Sequence, residues 1–386
     1  MFSRWIELKN NNLLLIGPRR AGKTTLLRNR FPEYSYITLD DLDHLQWAKS
    51  DPKGLIESLA ANAIIDEVQR APELTIAIKY RIDRKDFKVC MTGSSSLGLL
   101  DQSADTLAGR IHIQHLPTFC WGEELGHSTH QILNDKLDPI KLNQAQRKLT
   151  EALTYGGFPE VIAADNSSQK QGILKQYKNT YFTRDLAQLS NIENVEGLLA
   201  ILHHLARSIG SHLEVSSFAQ DSGLSHPTAK KYLNILTQSD LAFKLYGYQY
   251  GPAKRYIKAA KMYFADNGIM TALNARVSEG QLFENFVISE FEKRRKLGLI
   301  KTDNFFYYKS VGNNEIDLIY EEDGILHAIE IKASKKLRQK DFTNLKSFLK
   351  ERSEKKVKGC VIYAGSEYYL HEDISCIPAA SIYRGI

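Results

Sequence analysis

Gly17-Pro18-Arg19-Arg20-Ala21-Gly22-Lys23-Thr24 decides the fold of the N-terminal region. The stretch has the spacing G-x-x-x-x-G-K-[ST], and its flanks suit it. Leu13-Leu14-Leu15-Ile16, just before it, is a short apolar run that reads as a buried strand. Thr25-Leu26-Leu27-Arg28, just after it, reads as the first turns of a helix. A glycine loop between strand and helix aims backbone N–H groups and the positive helix end at an anion. Gly17 to Thr25 is therefore the expected cradle for a nucleoside triphosphate. Lys23 is expected on the β- and γ-phosphates, and the Thr24 hydroxyl on Mg²⁺. A chance glycine turn before an ordinary helix is the competing reading, and both flanks count against it.

A second motif lies about forty residues on. Ala63-Ile64-Ile65-Asp66-Glu67 is an apolar strand ending in two carboxylates. Asp66 is expected in the Mg²⁺ shell, and Glu67 is expected to orient or deprotonate the attacking water. A solvated acidic turn is the plainer alternative, and the upstream loop argues against it. A third strand, Val89-Cys90-Met91-Thr92-Gly93, runs into Ser94, expected as a polar group near the γ-phosphate. Serines after a strand are also ordinary loop residues. Arg110, in Leu107-Ala108-Gly109-Arg110, is a candidate sensor of the γ-phosphate, with a surface arginine as the equal alternative.

At 386 residues the chain exceeds one ordinary core, so two to four domains are expected. Hydrophobic residues at 43% and charged residues at 25% give a globular, water-soluble balance. No apolar run approaches a membrane span, and Met1-Phe2-Ser3-Arg4-Trp5-Ile6-Glu7 lacks a signal-peptide core. No membrane partner and a cytoplasmic location are therefore expected. Cys90, Cys120, Cys360 and Cys376 are widely spaced without a C-x-x-C pair, which supports neither zinc nor a disulfide framework.

The net charge of +6 is modest but localised. Between Ser225 and Met262 stand Lys230, Lys231, Lys244, Lys254, Arg255, Lys258 and Lys261, with Asp240 as the one acid. That segment alone accounts for the excess and suggests a polyanion partner. Val215-Ser216-Ser217-Phe218-Ala219-Gln220 opens a short helix, Ser222-Gly223-Leu224-Ser225 makes a turn, and His226 to Leu236 reads as a second helix with Pro227 in its first turn. Two β-rich runs, Ala242-Phe243-Lys244-Leu245-Tyr246 and Ala260-Lys261-Met262-Tyr263-Phe264, flank Gly251-Pro252-Ala253-Lys254-Arg255. Together they suggest a winged helix, with Lys230 and Lys231 near a DNA groove and Lys254 and Arg255 against phosphates. A winged helix used only for packing is the alternative.

The C-terminal region has its own chemistry. Glu315-Ile316-Asp317-Leu318-Ile319-Tyr320 and Leu326-His327-Ala328-Ile329-Glu330-Ile331-Lys332 alternate polar and apolar residues, as half-buried strands do. Asp323-Gly324 between them is a strong hairpin signal. With those two as the loop, Asp317 falls opposite Glu330 and Glu315 opposite Lys332. All four are then expected on one face, with Ile316, Leu318, Ile329 and Ile331 on the other. Two facing carboxylates repel unless a cation lies between them, and Mg²⁺ suits hard oxygen ligands. Glu284, on a preceding amphipathic helix, is a further candidate ligand. Lys332 would steady a developing phosphorane or the attacking water. A solvated strand face is the alternative, but it leaves Asp317 against Glu330 unexplained.

An aspartate followed by E-x-K on the next strand is the skeleton of PD-(D/E)XK nucleases. The chain as a whole resembles a widespread prokaryotic family of AAA-type ATPases with a C-terminal domain of unknown function. Ile65-Asp66-Glu67-Val68-Gln69, Thr92-Gly93-Ser94, Gly156-Gly157-Phe158-Pro159-Glu160 and Lys261-Met262-Tyr263-Phe264-Ala265-Asp266 carry the resemblance, along with the phosphate loop and the phrase ending at Arg110. Cys120-Trp121-Gly122-Glu123 departs from the serine-phenylalanine-x-glutamate phrase usual in similar proteins. The expected fold is α/β throughout. Residues 1–125 form a P-loop core with a parallel sheet, 126–205 a helical lid, 206–268 a winged helix and 269–386 a restriction-endonuclease-like domain. The expected activity is ATP hydrolysis gating a metal-dependent DNA-acting domain. The alternative is a nucleotide-switched regulator binding DNA or protein, with the nuclease-like domain as an inactive scaffold. Self-association as a homo-oligomer is left open.

Overall fold

The computed structural model describes residues 3–8, 12–93, 107–126, 131–186, 192–248, 260–310, 312, 314–352 and 356–383, without the side chains of 182–185. The chain forms two compact units. One is Ile6–Thr118 with Gln238–Asp240; the other is Met1–Trp5, Phe119–Thr237 and Leu241–Ile386. The first therefore ends a few residues before the expected boundary at 125. The expected lid, winged-helix and C-terminal segments pack as a single unit.

In the first unit, strands β1 (Leu13–Ile16), β2 (Ser35–Thr38), β3 (Asn62–Asp66), β4 (Lys88–Gly93) and β5 (His112–His115) make one sheet in the order β2-β3-β4-β1-β5. Every pairing is parallel. Helices α1 (Lys23–Arg30), α2 (Leu42–Ser50), α3 (Pro52–Ser58) and α4 (Leu74–Asp83) connect the strands. A parallel sheet is covered on both faces, so its central strands are apolar throughout, as the fully buried β1 is. Two of these helices have side-chain caps: Asp41 accepts from Asp43 and His44 N–H groups, and Asp51 accepts from Gly54 N–H ahead of Pro52.

The second unit begins with helices α5 (Pro139–Tyr155), α6 (Ser167–Tyr177) and α7 (Val195–Arg207), capped by Asp138, Asn166 and Asn194. Helix α8 (Val215–Ser222) ends at Gly223 with φ 65°, a conformation that favours glycine, and α9 (His226–Gln238) follows. Then come β6 (Ala242–Gly247), β7 (Lys261–Phe264), α10 (Asn267–Leu273) and α11 (Glu279–Lys296). Strands β8 (Phe306–Lys309), β9 (Glu315–Glu322) and β10 (Ile325–Lys332) lead to α12 (Thr343–Lys350), β11 (Val357–Tyr363), β12 (Tyr369–His371) and β13 (Ile374–Pro378).

The sheet order in this unit is β12-β13-β11-β10-β9-β8-β6-β7. The two strands expected as a wing pair antiparallel with each other, and β6 also pairs with β8. They extend the C-terminal sheet, which is why the winged-helix segment does not separate from it. The hairpin β9–β10 has the expected register, from Glu322↔Ile325 to Leu318↔Ile329.

The strict alternation expected past that point fails. Between the pairs Phe306↔Ile319 and Tyr308↔Ile316, β9 has one residue more than β8. Such a bulge interrupts the two-residue period. Ile316 and Ile319 consequently enter the same apolar cluster, with Phe306, Ala328, Leu345 and Val361. The bulge falls at Asp317 and Leu318.

Candidate functional site

The first site is built at the C-terminal end of β1. A Cβ on Gly17 would lie 2.1 Å from Leu116 O, so only glycine lets the loop leave the strand here. Gly22 has φ 87° and opens α1 without a side-chain cap, leaving the helix N–H groups to an anion. Lys23 is buried and donates from Nζ to Gly17 O at 2.9 Å and Pro18 O at 3.0 Å. Its ammonium thus closes over the loop formed by Pro18, Arg19, Arg20 and Ala21. Burial holds the Lys23 pKa below its ordinary value, against the pull of Glu67 and Asp66.

Thr24 Oγ1 donates to Asp66 Oδ1 at 2.9 Å, which brings the two expected Mg²⁺ ligands together from α1 and β3. A hydroxyl and a carboxylate at this separation fit a hard divalent ion. Thr25 is exposed on the next position of α1.

Sequence reasoning missed two partners. Tyr36 OH donates to Asp66 Oδ2 at 3.0 Å, and burial together with Asp66 pushes the Tyr36 pKa up to about 12. Thr92, on β4, donates to Asp66 Oδ1 and accepts from Glu67 N–H at 3.2 Å. The signal for Thr92 was its place at the end of the third strand, two residues before Ser94. Ser94 itself lies outside the described residues.

Glu67 has φ 58°, a left-handed conformation uncommon for a side chain of this kind, and accepts from the Gln69 amide. Its backbone is turned out of the strand direction just past Asp66.

Arg110 is not part of this site. It precedes β5, which runs parallel to β1, so it lies at the sheet edge opposite the phosphate loop. Its guanidinium is paired with Asp83 at the end of α4, Nε to Oδ1 at 2.6 Å and Nη2 to Oδ2 at 3.1 Å.

A second constellation lies in the C-terminal sheet and the helix beside it. The β9–β10 ladder ends at Leu318↔Ile329, and Asp317 Oδ2 then accepts from Ile331 N–H at 2.7 Å. Lys332 Nζ donates to Glu330 Oε1 at 2.6 Å, and Glu330 Oε2 is buried without a hydrogen-bond partner. Glu284, on α11, accepts from Tyr263 OH at 2.7 Å. Gly210 makes room for it: a Cβ there would lie 2.8 Å from Glu284 Oε2.

Burial raises the carboxyl pKa of Glu284, Asp317 and Glu330, and the Asp317 charge adds to the rise at the other two. Glu330 and Asp317 in turn act on Lys332 and hold its pKa above the ordinary value. The three carboxylates are the right donors for a hard cation. Each nevertheless already accepts one internal hydrogen bond, and among the described residues no group of three His, Cys, Asp or Glu side chains stands ready to hold a metal ion.

Of the cationic residues, Lys230 and Lys231 are exposed on α9. Lys254 and Arg255 lie outside the described residues. Lys244 donates to Asn234 Oδ1 at 3.0 Å, and Lys261 is buried against Glu315, so neither adds to a cationic surface. His204, on α7, bonds Asp221 at 2.6 Å and packs on Phe218, as an ordinary helix residue does.

Residues 9–125 match the AAA domain family, and they contain the phosphate loop, Asp66 and Glu67. Residues 146–280 match a domain of unknown function (DUF8612), and residues 279–382 another (DUF4143). An uncharacterized protein of Methanocaldococcus jannaschii is 25% identical, over 84% of this chain and 76% of its own. An uncharacterized protein of Mycobacterium tuberculosis is also 25% identical, over 83% of this chain and 70% of its own. Among solved structures, a Walker-type ATPase of Pyrococcus abyssi is similar at 16% identity with a TM-score of 0.42, covering 69% of this chain and 91% of that one. The AAA domain match, with the phosphate loop inside it, supports an AAA-type P-loop ATPase for the N-terminal unit. Among the described residues, no helix is long and apolar enough to cross a membrane.

Proposed function

We propose that the chain binds ATP with Mg²⁺ and hydrolyses it at the loop Gly17–Thr24. The observation that carries this reading is the convergence of Lys23, Thr24, Asp66 and Glu67, from one loop and one strand end, with Thr92 joining the two acids. Lys23 holds the phosphates as a point charge. Thr24 and Asp66 hold Mg²⁺, which neutralises charge on the transferred phosphoryl group when bound. Glu67 orients the attacking water, and Gln69 steadies its carboxylate. The test is ATP turnover by the purified chain with and without Mg²⁺. Hydrolysis that survives chelation of all divalent ions would overturn the assignment.

A second reading concerns DNA. Glu284 on α11, Asp317 on β9, and Glu330 and Lys332 on β10 follow one another along the chain, and the Asp317 charge acts on the other three. These observations favour a nuclease-like domain whose DNA is held by the helix-turn-helix of α8 and α9. On this reading Asp317→Ala abolishes Mg²⁺- or Mn²⁺-dependent cleavage of plasmid DNA and leaves ATP hydrolysis intact. A variant that cleaves like the unaltered chain refutes the metal role of Asp317. Absence of cleavage on every DNA form favours the nucleotide-switched regulator instead.

DNA binding has its own test. Lys230→Ala combined with Lys231→Ala lowers the log–log salt slope of DNA affinity by about one unit for each phosphate deprived of its lysine. Fluorescence anisotropy across a salt series reads this, and an unchanged slope removes α9 from the DNA surface.

A further inference from the structure

Asp240 is the one acid between Ser225 and Met262, and neither the ATP chemistry nor the DNA surface above uses it. It stands in the turn between α9 and β6. Thr237 and Leu241 belong to the second unit, yet Gln238–Asp240 belong to the first, with the phosphate loop. Asp240 is buried, about 8% exposed, and its Oδ2 lies 3.5 Å from His115 Nδ1. His115 is the last residue of β5 and pairs with Ile16, the residue before the loop. Leu116, next along, donates its N–H to Ile16 O at 2.8 Å. Asp240 is therefore seated at the C-terminal edge of the parallel sheet, where such sheets bind ligands. Its charge also reaches the loop: burial holds the Lys23 pKa down, and Glu67, Asp66 and Asp240 pull against it.

The backbone at Asp240 is a second, independent observation. Its φ is 55°, the left-handed conformation, and Leu241 N–H reaches back to Leu236 O at 3.1 Å. That bond closes α9 as a Schellman turn, with Asp240 at the position glycine usually takes. Helix α8 does end on a glycine, Gly223, at a similar φ of 65°. A side chain at such a position is strained, and strain of this kind gathers at functional sites. Leu241 O in turn accepts from Ala265 N–H at 2.9 Å, just past β7. A shift of Asp240 is felt first at this joint of α9, β6 and β7.

We propose that Asp240 is a nucleotide-sensing residue, a carboxylate beside the phosphate loop that a triphosphate displaces and a diphosphate leaves in place. The proposal rests on the ATP reading of Gly17–Thr24. The γ-phosphate brings further negative charge to Lys23 and repels the carboxylate that acts on the same lysine. Part of the ATP binding free energy then goes into moving Asp240, and through Leu241 into β6. A ligand shifts an equilibrium only by its difference in affinity for the two states, which here is the repulsion. Asp240 is a positioning residue: it is a ligand of neither the nucleotide nor the cation.

The experiment is equilibrium binding of ATP and of ADP, each with Mg²⁺, to the full chain, to Asp240→Asn and to Asp240→Gly. Both replacements accept a positive φ, so the turn is kept. Both are expected to bind ATP roughly tenfold tighter than the unaltered chain, with a smaller gain for ADP. Hydrogen exchange read by mass spectrometry reports on the joint. In the unaltered chain ATP is expected to speed exchange at the Leu241 and Ala265 amides relative to ADP. In both variants the two nucleotides are expected to give equal exchange.

If the unaltered chain binds neither nucleotide, the ATP reading fails and the proposal with it. If it binds ATP but the variants bind no tighter, or gain equally for ADP, the sensing role is refuted and the ATP reading stands. Tightening in only one of the two variants refutes the charge account, since both remove the same carboxylate. The exchange measurement on the unaltered chain needs no variant, and equal exchange with ATP and ADP there refutes the proposal.

Discussion

Lys23→Ala is expected to reduce ATP affinity below detection, and Glu67→Gln to retain affinity while losing hydrolysis by orders of magnitude. The two variants separate because the two side chains act on different things. Lys23 is a buried ammonium lying across the loop, bonded to Gly17 O and Pro18 O, where phosphate oxygens are its natural replacement partners. Without it the phosphates keep only backbone N–H groups and the helix end. Glu67 is set past the strand end, and its loss leaves the cradle intact while removing water activation, a contribution of roughly two to four powers of ten. Equilibrium binding of a fluorescent ATP analogue and phosphate-release kinetics check both. If Glu67→Gln hydrolyses at the unaltered rate, another group activates the water.

Glu290→Ala is expected to cost about 3–5 kcal/mol, because it breaks a buried ionic network rather than a surface pair. Glu290 Oε1 takes Lys293 Nζ at 2.9 Å, and Oε2 takes Arg294 Nη1 at 2.5 Å and Trp121 N–H at 2.8 Å. Lys293 also reaches Asp266 Oδ2 at 2.8 Å and Phe119 O at 3.0 Å. All of these side chains are essentially dry. Removing Glu290 takes a carboxylate away from the buried Arg294, whose guanidinium also donates to the backbone carbonyls of residue 290 and Ile382. Exchanging Lys293 for Met is expected to cost less, since Glu290 keeps Arg294 and the apolar replacement needs no partner. The midpoint of urea unfolding, compared across the three proteins, reads the difference. Equal midpoints for Glu290→Ala and the unaltered chain would mean the network contributes nothing net.

The legible parts of this molecule were those governed by short-range rules. The phosphate loop needs a strand, two glycines and a helix start within a dozen residues, and each is visible at Leu13 to Arg28. The Asp323-Gly324 hairpin follows from local turn chemistry, and its register was correct pair by pair down to Leu318↔Ile329. The failures were long-range. The bulge at Asp317 and Leu318 is set by how β8 meets β9, across a loop, and no periodicity along one strand reports it. Tyr36 reaches Asp66 from a neighbouring strand, thirty residues away in sequence, so nothing local marks it. Lys261 looked cationic and therefore exposed, while its true surroundings are acids from β9 and α11. Arg110 was chosen for its residue type, and only the direction of β5 shows it at the wrong edge.

The clamp that Glu123 forms with Arg4 and Trp5 has a consequence for synthesis. Glu123, fully buried, accepts from Arg4 Nε at 2.8 Å, from Trp5 N–H at 2.6 Å and from Cys120 N–H at 2.9 Å, and the Arg4 guanidinium lies 4.3 Å from the centre of the Phe119 ring. The chain therefore enters and leaves Ile6–Thr118 at one place, between residues that belong to the other unit. In topological terms the segment Ile6–Thr118 is an insert, and the unit around it is discontinuous. A ribosome makes Arg4 and Trp5, then Ile6–Thr118, and only afterwards Phe119, Cys120 and Glu123. Arg4 and Trp5 meet Glu123 once the insert is complete, and Arg294, 5.6 Å from the centre of the Trp5 ring, arrives much later still. An insert that folds first shortens the wait, since it brings the two ends of its own segment together and removes most of the entropy cost of closing so long a loop.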